Sequence, residues 1–247
     1  MEKILFPILG VLCALPLIAA DPKDDVKAAV KSLADKPNYT WTTTVKSPGA
    51  QFNAGPTTGK TQKGGYTFLT QVNNEQTTEV AMKGTNGVVT TEEGWKSQTE
   101  LPAPQRGGAA GGNRGALAGR FLLNSRTPTE TLTNLVEKVK ELKKGEDDLI
   151  VSARTLTAEG EIFFGTFFSE VAADQVVLTT TDAKGSLKVW LKGGQLVKYQ
   201  IAVSGKMNFN GNERDIDRTT TVEIKDVDKT NVEVPDDAKK KIAELGK

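Results

Sequence analysis

Apolar residues recur along this chain at two spacings, and the places where one gives way to the other divide it into elements. Val26, Ala29, Val30 and Leu33 fall at i, i+3, i+4 and i+7, the spacing of one helical face. Asp21 caps this helix, Pro22 suits its first turn, Asp24 and Asp25 favour its positive end, and Lys36-Pro37 stops it. From Asn38 to Lys46 the period changes to two, with Tyr39, Trp41, Thr43 and Val45 on one face. Further strand-like stretches run about Gly65 to Gln71, Gln76 to Lys83 and Gly87 to Thr91. A second helix begins at Thr127-Pro128-Thr129-Glu130, a capping box with a first-turn proline. Its apolar stripe reads Leu132, Leu135, Val136, Val139, Leu142, and Lys143-Lys144-Gly145 is its expected end.

The C-terminal half alternates strictly. Gln175 to Thr181 leads through a turn at Asp182-Ala183-Lys184-Gly185 into Ser186 to Lys192, and Gly193-Gly194 turns into Gln195 to Ser204. Leu187, Val189 and Leu191, then Val197, Tyr199, Ile201 and Val203, give each strand one dry face. Asp217 to Asp228 extends the sheet, Val232 to Val234 adds a short edge, and Asp236 to Leu245 forms a basic terminal helix. The sum is an α+β fold: a large one-sided antiparallel sheet with three or four helices on its apolar face.

Two segments stand outside this pattern. Ile4 to Ile18 is an apolar run that ends in Ala19-Ala20 before charged residues, as in a secretory signal peptide, and it is too short to span a bilayer stably. Cleavage after Ala20 leaves residues 21–247 as a single domain, exported to the periplasm or the extracellular space without a stable membrane anchor. Leu101 to Arg120 holds six glycines, five alanines and three arginines with no apolar periodicity. It reads as a flexible insertion at about 101–120; a linker between two domains is the alternative.

Composition then narrows the chemistry. The chain has no histidine, and its one cysteine, Cys13, lies in the leader, where Leu12 before it argues against lipid modification. The mature protein therefore lacks the commonest general base, a thiol nucleophile, any His/Cys zinc site and any disulfide. A net charge of +1, with both signs interspersed, argues against nucleic acid as a partner.

Several motifs match sharp functions and fit plainer ones better. Ala54 to Thr61 is a formal phosphate-loop match, but no apolar strand precedes it, no helix follows, and Pro56 removes an N–H; a β-hairpin loop is expected. Arg106, Arg114 and Arg120 among glycines lack the interleaved aromatics of a nucleic-acid segment. Asn208, Asn210, Asn212, Asp215 and Asp217 depart from EF-hand spacing and read as turn chemistry, so no metal site and no cofactor is expected. Asn38-Tyr39-Thr40 is a glycosylation acceptor only in a eukaryotic host. Glu92-Glu93, Asp147-Asp148 and Asp215/Asp217 are the carboxylate pairs from which a hydrolase would be built.

One cluster stands out. Phe163-Phe164-Gly165-Thr166-Phe167-Phe168 holds four of the nine phenylalanines, and Phe121-Leu122-Leu123 forms a second apolar group. They read either as core or as the mouth of an apolar cavity under the sheet.

The order of elements resembles the LolA/LolB and LppX-like lipoprotein-carrier superfamily. The Asp21–Leu33 helix, the threonine-rich strand with Trp41, the Gly94-Trp95 strand entry, the central helices and the meander ending in Thr219-Thr220-Thr221-Val222-Glu223-Ile224 carry the resemblance. It implies a curved half-barrel sheet with helices on its concave apolar face, and a non-catalytic protein binding a hydrophobic small molecule or lipid. The expected lining residues are Trp41, Phe68, Trp95, Phe121, Leu122, Phe163, Phe164, Phe167 and Phe168. An envelope module with a protein partner and a filled core is the alternative, and a carboxylate-dependent hydrolase the third.

Overall fold

The computed structural model describes residues 21–48, 55–73, 76–102, 114–139, 141–145, 149–152, 178–209 and 212–246. Helix α1 (Pro22–Ala34) precedes six strands: β1 (Asn38–Lys46), β2 (Thr57–Gln62), β3 (Thr67–Asn73), β4 (Gln76–Lys83), β5 (Asn86–Thr91) and β6 (Gly94–Ser97). Helices α2 (Arg114–Leu123) and α3 (Pro128–Lys138) follow. Strands β7 (Leu142–Lys144), β8 (Leu149–Ser152), β9 (Leu178–Lys192), β10 (Gln195–Phe209) and β11 (Asn212–Lys225) come next, and Asp236–Leu245 forms the last helix, α4.

The eleven described strands join one antiparallel sheet in the order β6-β5-β4-β3-β2-β1-β11-β10-β9-β8-β7. Two meanders thus meet at a central seam where β1 pairs with β11, with Trp41 opposite Ile224 and Thr43 opposite Val222. The sheet is curved and unclosed, with β6 and β7 as its edges. That order dictates where the middle helices go. The chain must pass from the β6 edge to the β7 edge, and α2 and α3 lie on this crossover over the sheet face. α1 packs beside α3 and on β10, while α2 lies on β4 and β5.

The apolar faces predicted from the sequence meet in one core. Val26, Ala29, Val30 and Leu33 of α1, and Leu132, Leu135 and Val136 of α3, pack with Trp41, Leu69, Val80, Val89, Leu187, Val189, Ile201 and Val222 of the sheet. The ends of the two helices are tied together: Lys23 Nζ donates to the carbonyl of Val139 at 2.8 Å, and Lys27 pairs with Glu137 at 2.8 Å. The Asp21 cap and the Thr127–Glu130 capping box are both formed.

Five local expectations change. First, residues 57–62 are strand β2, not hairpin loop, because Gly59 lets Trp41 pack against them. Second, the stretch 101–120 is helical from Arg114, and Arg120 Nη2 donates to the carbonyls of Leu101 (2.8 Å) and Pro102 (3.2 Å). Gly119 allows the close approach, since a Cβ there would sit 2.9 Å from Val89 Cγ2. Third, the helix expected to reach Gly145 ends at Lys138; Leu142 instead pairs with Ser152 as an edge strand, because sheet pairing outweighs helical spacing. Fourth, no turn divides β9 at 182–185. The extra length is absorbed in a bulge, with Asp182 at φ 54° and a register shift between Ser204 and Lys206 of β10, which bends both strands. A second register shift, between Leu196 and Lys198, brings Leu196 into the core beside Tyr199. Fifth, Val232–Val234 is not a strand; Val234 packs with α4.

α4 also lies elsewhere than expected. Val80 and Val89 belong to the core under α1–α3, whereas Ala81 and Val88, their neighbours in sequence, pack with Ala238 and Ile242 of α4. Adjacent strand residues face opposite sides, so α4 covers the outer face. Lys241 and Glu100 hold it there at 2.6 Å, with Glu100 also accepting from Ser97 N and Oγ.

Candidate functional site

At one end of the strands the covering helices leave a cleft of about 1210 Å³. Its walls are the β2–β3 turn (Gln62 to Gly65), the β4–β5 turn (Lys83 to Asn86), Ser97 to Thr99 after β6, and the α2–α3 connection from Asn124 to Thr127. Tyr39, Met82 and Leu123 form its floor. Tyr39 belongs to the inner core, and Met82 and Leu123 pack against it, so the cleft opens directly onto apolar packing.

The walls are polar for a local reason: they are the turns that join the strands, where glycine, asparagine and threonine satisfy turn geometry. Lys36 and Lys63 at the rim are neutralised by Asp228 (2.7 Å) and Asp35 (2.9 Å). The Lys63 hydrogen bond holds the Asp35 carboxyl below its ordinary range. Lys83 lies 5.1 Å from the Tyr66 ring centre. Deeper in, the Tyr39 hydroxyl and Thr129 Oγ1 lie 3.3 Å apart in a buried hydrogen bond, and burial raises the Tyr39 pKa. Tyr199 is raised by burial too. These tyrosines stay neutral at physiological pH and act as hydrogen-bonding parts of the wall and core. The cleft thus sets polar walls over an apolar floor.

The residues singled out from sequence fall in several places. Trp41 is buried in the inner core, its ring centre 5.7 Å from that of Tyr39 at a tilt of 46°, and it lies over Gly59. Leu122 is buried in the same core. Phe121, one position away on α2, is 44% exposed. Phe68 and Trp95 are 6.5 Å apart but lie on the outer face under α4, since the inner position on β3 is Leu69. Phe163, Phe164, Phe167 and Phe168 lie outside the described residues. None of the described ones lines the cleft. The cleft-lining turns carry no aromatic run, and the signal that could have found them is topological: every hairpin at one end of a meander must open toward the same rim.

The carboxylate pairs Glu92-Glu93 and Asp215/Asp217 are exposed, and Asp147-Asp148 lies outside the described residues. Among the described residues no cluster of three acidic side chains is placed to hold a metal ion, and no helix is long and apolar enough to cross a membrane.

The sheet is curved, unclosed and covered by helices, and solved structures align with most of the chain. The lipoprotein LppX of Mycobacterium tuberculosis matches over 87% of this chain and 98% of its own, at 8% identity and a TM-score of 0.43. LprF of Mycobacterium bovis matches over 88% and 97%, at 8% identity and a TM-score of 0.42. A LolA-superfamily protein of Nitrosomonas europaea matches over 87% and 96%, at 11% identity and a TM-score of 0.34. No protein-family model matches the chain, and no curated protein is similar to it in sequence.

Proposed function

We propose that the protein is an exported, non-catalytic binding protein for a hydrophobic or amphiphilic ligand, a lipid or an acyl chain. The observation that carries this is the cleft between the α2–α3 crossover and the hairpin ends, polar at its rim and floored by Met82, Leu123 and Tyr39 of the inner core. Such a site hydrogen-bonds a head group while apolar surface meets apolar surface below. The leader at residues 4–20 supports export. The exposed position of the described carboxylate pairs supports binding without catalysis. Exposed Phe121 favours, as a second reading, contact with an envelope protein partner.

Native mass spectrometry of protein purified from its own envelope, followed by lipid analysis, tests the proposal. A stoichiometric lipid is expected, with uptake falling about tenfold or more when Met82→Asp and Leu123→Asp polarise the floor. Phe164→Asp with Phe168→Asp tests the aromatic run separately. An empty protein that takes up neither fatty acid nor phospholipid overturns the proposal.

A further inference from the structure

Helix α4 starts on the outer face of the sheet and ends at the cleft. Its Ala238 and Ile242 pack on Ala81 of β4 and Val88 of β5. The adjacent residues of those strands, Met82 and Gly87, face the other way and line the cleft. One thickness of sheet therefore separates the helix from the cleft floor. The last turn of α4 then reaches the mouth itself. Leu245 lines the cleft, and a Cβ on Gly246 would lie 3.5 Å from Nδ2 of Asn86, a lining residue of the β4–β5 turn.

A second link runs through polar atoms. Lys241 Nζ donates to Glu100 Oε1 at 2.6 Å, and Glu100 Oε2 accepts from Ser97 N and Ser97 Oγ, both at 2.8 Å. Ser97 Oγ lies 3.0 Å from Thr99 Oγ1, and Ser97 to Thr99 form one wall of the cleft.

The helix is lightly held. Of its ten residues only Ala238 and Ile242 are buried, no side chain caps its N-terminus, and its last turn carries no basic residue to offset the helix dipole. An element with so few buried apolar contacts moves at small cost. Leu245, beyond the last buried residue, is 39% exposed. Val72 and Phe121 are the other large apolar side chains exposed among the described residues, and neither lines the cleft.

We propose that α4 is a strap that an apolar ligand draws over the cleft mouth, with Leu245 as its contact and the Ser97–Glu100–Lys241 chain as its tether. An acyl chain lying on Met82 and Leu123 meets Leu245, buries its exposed surface and orders the last turn of the helix. The inference rests on the apolar-ligand reading above and adds a moving part to it. Linkage makes the effect reciprocal: a ligand that holds α4 in place is itself held more tightly by an α4 already in place.

Two readouts on the full chain test this, with oleic acid as the probe: its affinity by calorimetric titration, and hydrogen exchange of the Asp236–Leu245 amides with and without it. Saturating oleate is expected to slow exchange in the last turn of α4 by about tenfold. Leu245→Ala should weaken oleate binding by about threefold to tenfold and remove that protection. Lys241→Gln, which releases the tether, should weaken binding by about threefold. Lys239→Gln removes the same charge from a pair internal to the helix, with Asp236, and should leave the affinity unchanged. Circular dichroism checks the fold, and exchange in the unaltered chain decides alone if Leu245→Ala does not fold. Oleate that binds without slowing exchange in α4, or that binds folded Leu245→Ala as tightly as the unaltered chain, overturns the strap while the apolar-ligand reading stands. Equal losses in Lys241→Gln and Lys239→Gln overturn the tether. Absence of binding by oleic acid and by dioleoyl phosphatidylcholine alike overturns both readings.

Discussion

A Cβ on Gly59 would fall within the Trp41 indole, so the bare backbone of β2 is what lets this ring lie flat on the sheet, close to Tyr39. Gly59 is also the glycine that completes a formal phosphate-loop match, and its neighbour in space accounts for it without any nucleotide. Gly59→Ala is expected to destabilise the fold by about 2 kcal/mol, the usual cost of overpacking a filled core. Urea denaturation should show the lowered midpoint, and a red-shifted tryptophan emission should report the displaced indole. An unchanged midpoint and spectrum would refute the packing argument. At this scale the sequence was a partial guide. Alternation put Tyr39 and Trp41 on one face of β1, and both are buried in the inner core, but it says nothing of which face a strand turns toward the helices. Phe68 and Trp95 went to the outer face for that reason.

Helix boundaries show the same balance between local and distant causes. The Thr127–Glu130 capping box and the Asp21 cap are written in consecutive residues, so they are legible and they are formed. The end of α3 is not, because Leu142 fits a helical stripe and an edge strand equally well until β8 is there to pair with it. α4 depends on a distant partner in the same way. Hydrogen bonds from Lys241 and Ser97 hold the Glu100 carboxyl down from the ordinary 4.5 to about 2. A depressed carboxylate contributes stability that is complete above its unfolded pKa and is lost as pH falls through its folded one. The clamp on α4 should therefore hold above about pH 4.5 and loosen on acidification toward about 2. Amide resonances of Asp236–Leu245, followed by NMR, should broaden or shift in that window. They should do so at every pH in Glu100→Gln. Resonances indifferent to both changes would show that apolar contact with Ala238 and Ile242 alone secures the helix.

For the molecule as a whole, the decisive fact is the strand order. A meander that stopped at β6 would have no reason to curve over anything. Joining it to a second meander through β1 and β11 forces the crossover helices across the face and leaves the cleft where they pass over the hairpin ends. The sheet class and the one-sidedness of the strands could be read from period-two alternation. The seam could not, since Thr44 and Thr221 are far apart in sequence and nothing local marks them as partners. Ending the chain before Asn212 should therefore do more than remove a strand. It is expected to abolish the cooperative urea transition and to produce strong binding of a hydrophobic dye, because β1 and β10 each lose a neighbour. A truncated protein that still unfolds in one sharp step would show that the meanders are independent.

The β1–β11 pairing also sets a clock on the chain's birth. β1 leaves the ribosome early and its partner late, so for most of synthesis one long edge of the N-terminal meander stays unpaired. A sheet whose middle is assembled last remains pliable until almost everything has been made, and then closes at once, at the slow pace that pairing across such a separation imposes. A nascent chain of this topology is by construction a good substrate for holding factors and for passage through a narrow pore. Moving β11 to precede β1 by circular permutation should make folding begin during synthesis instead of after it.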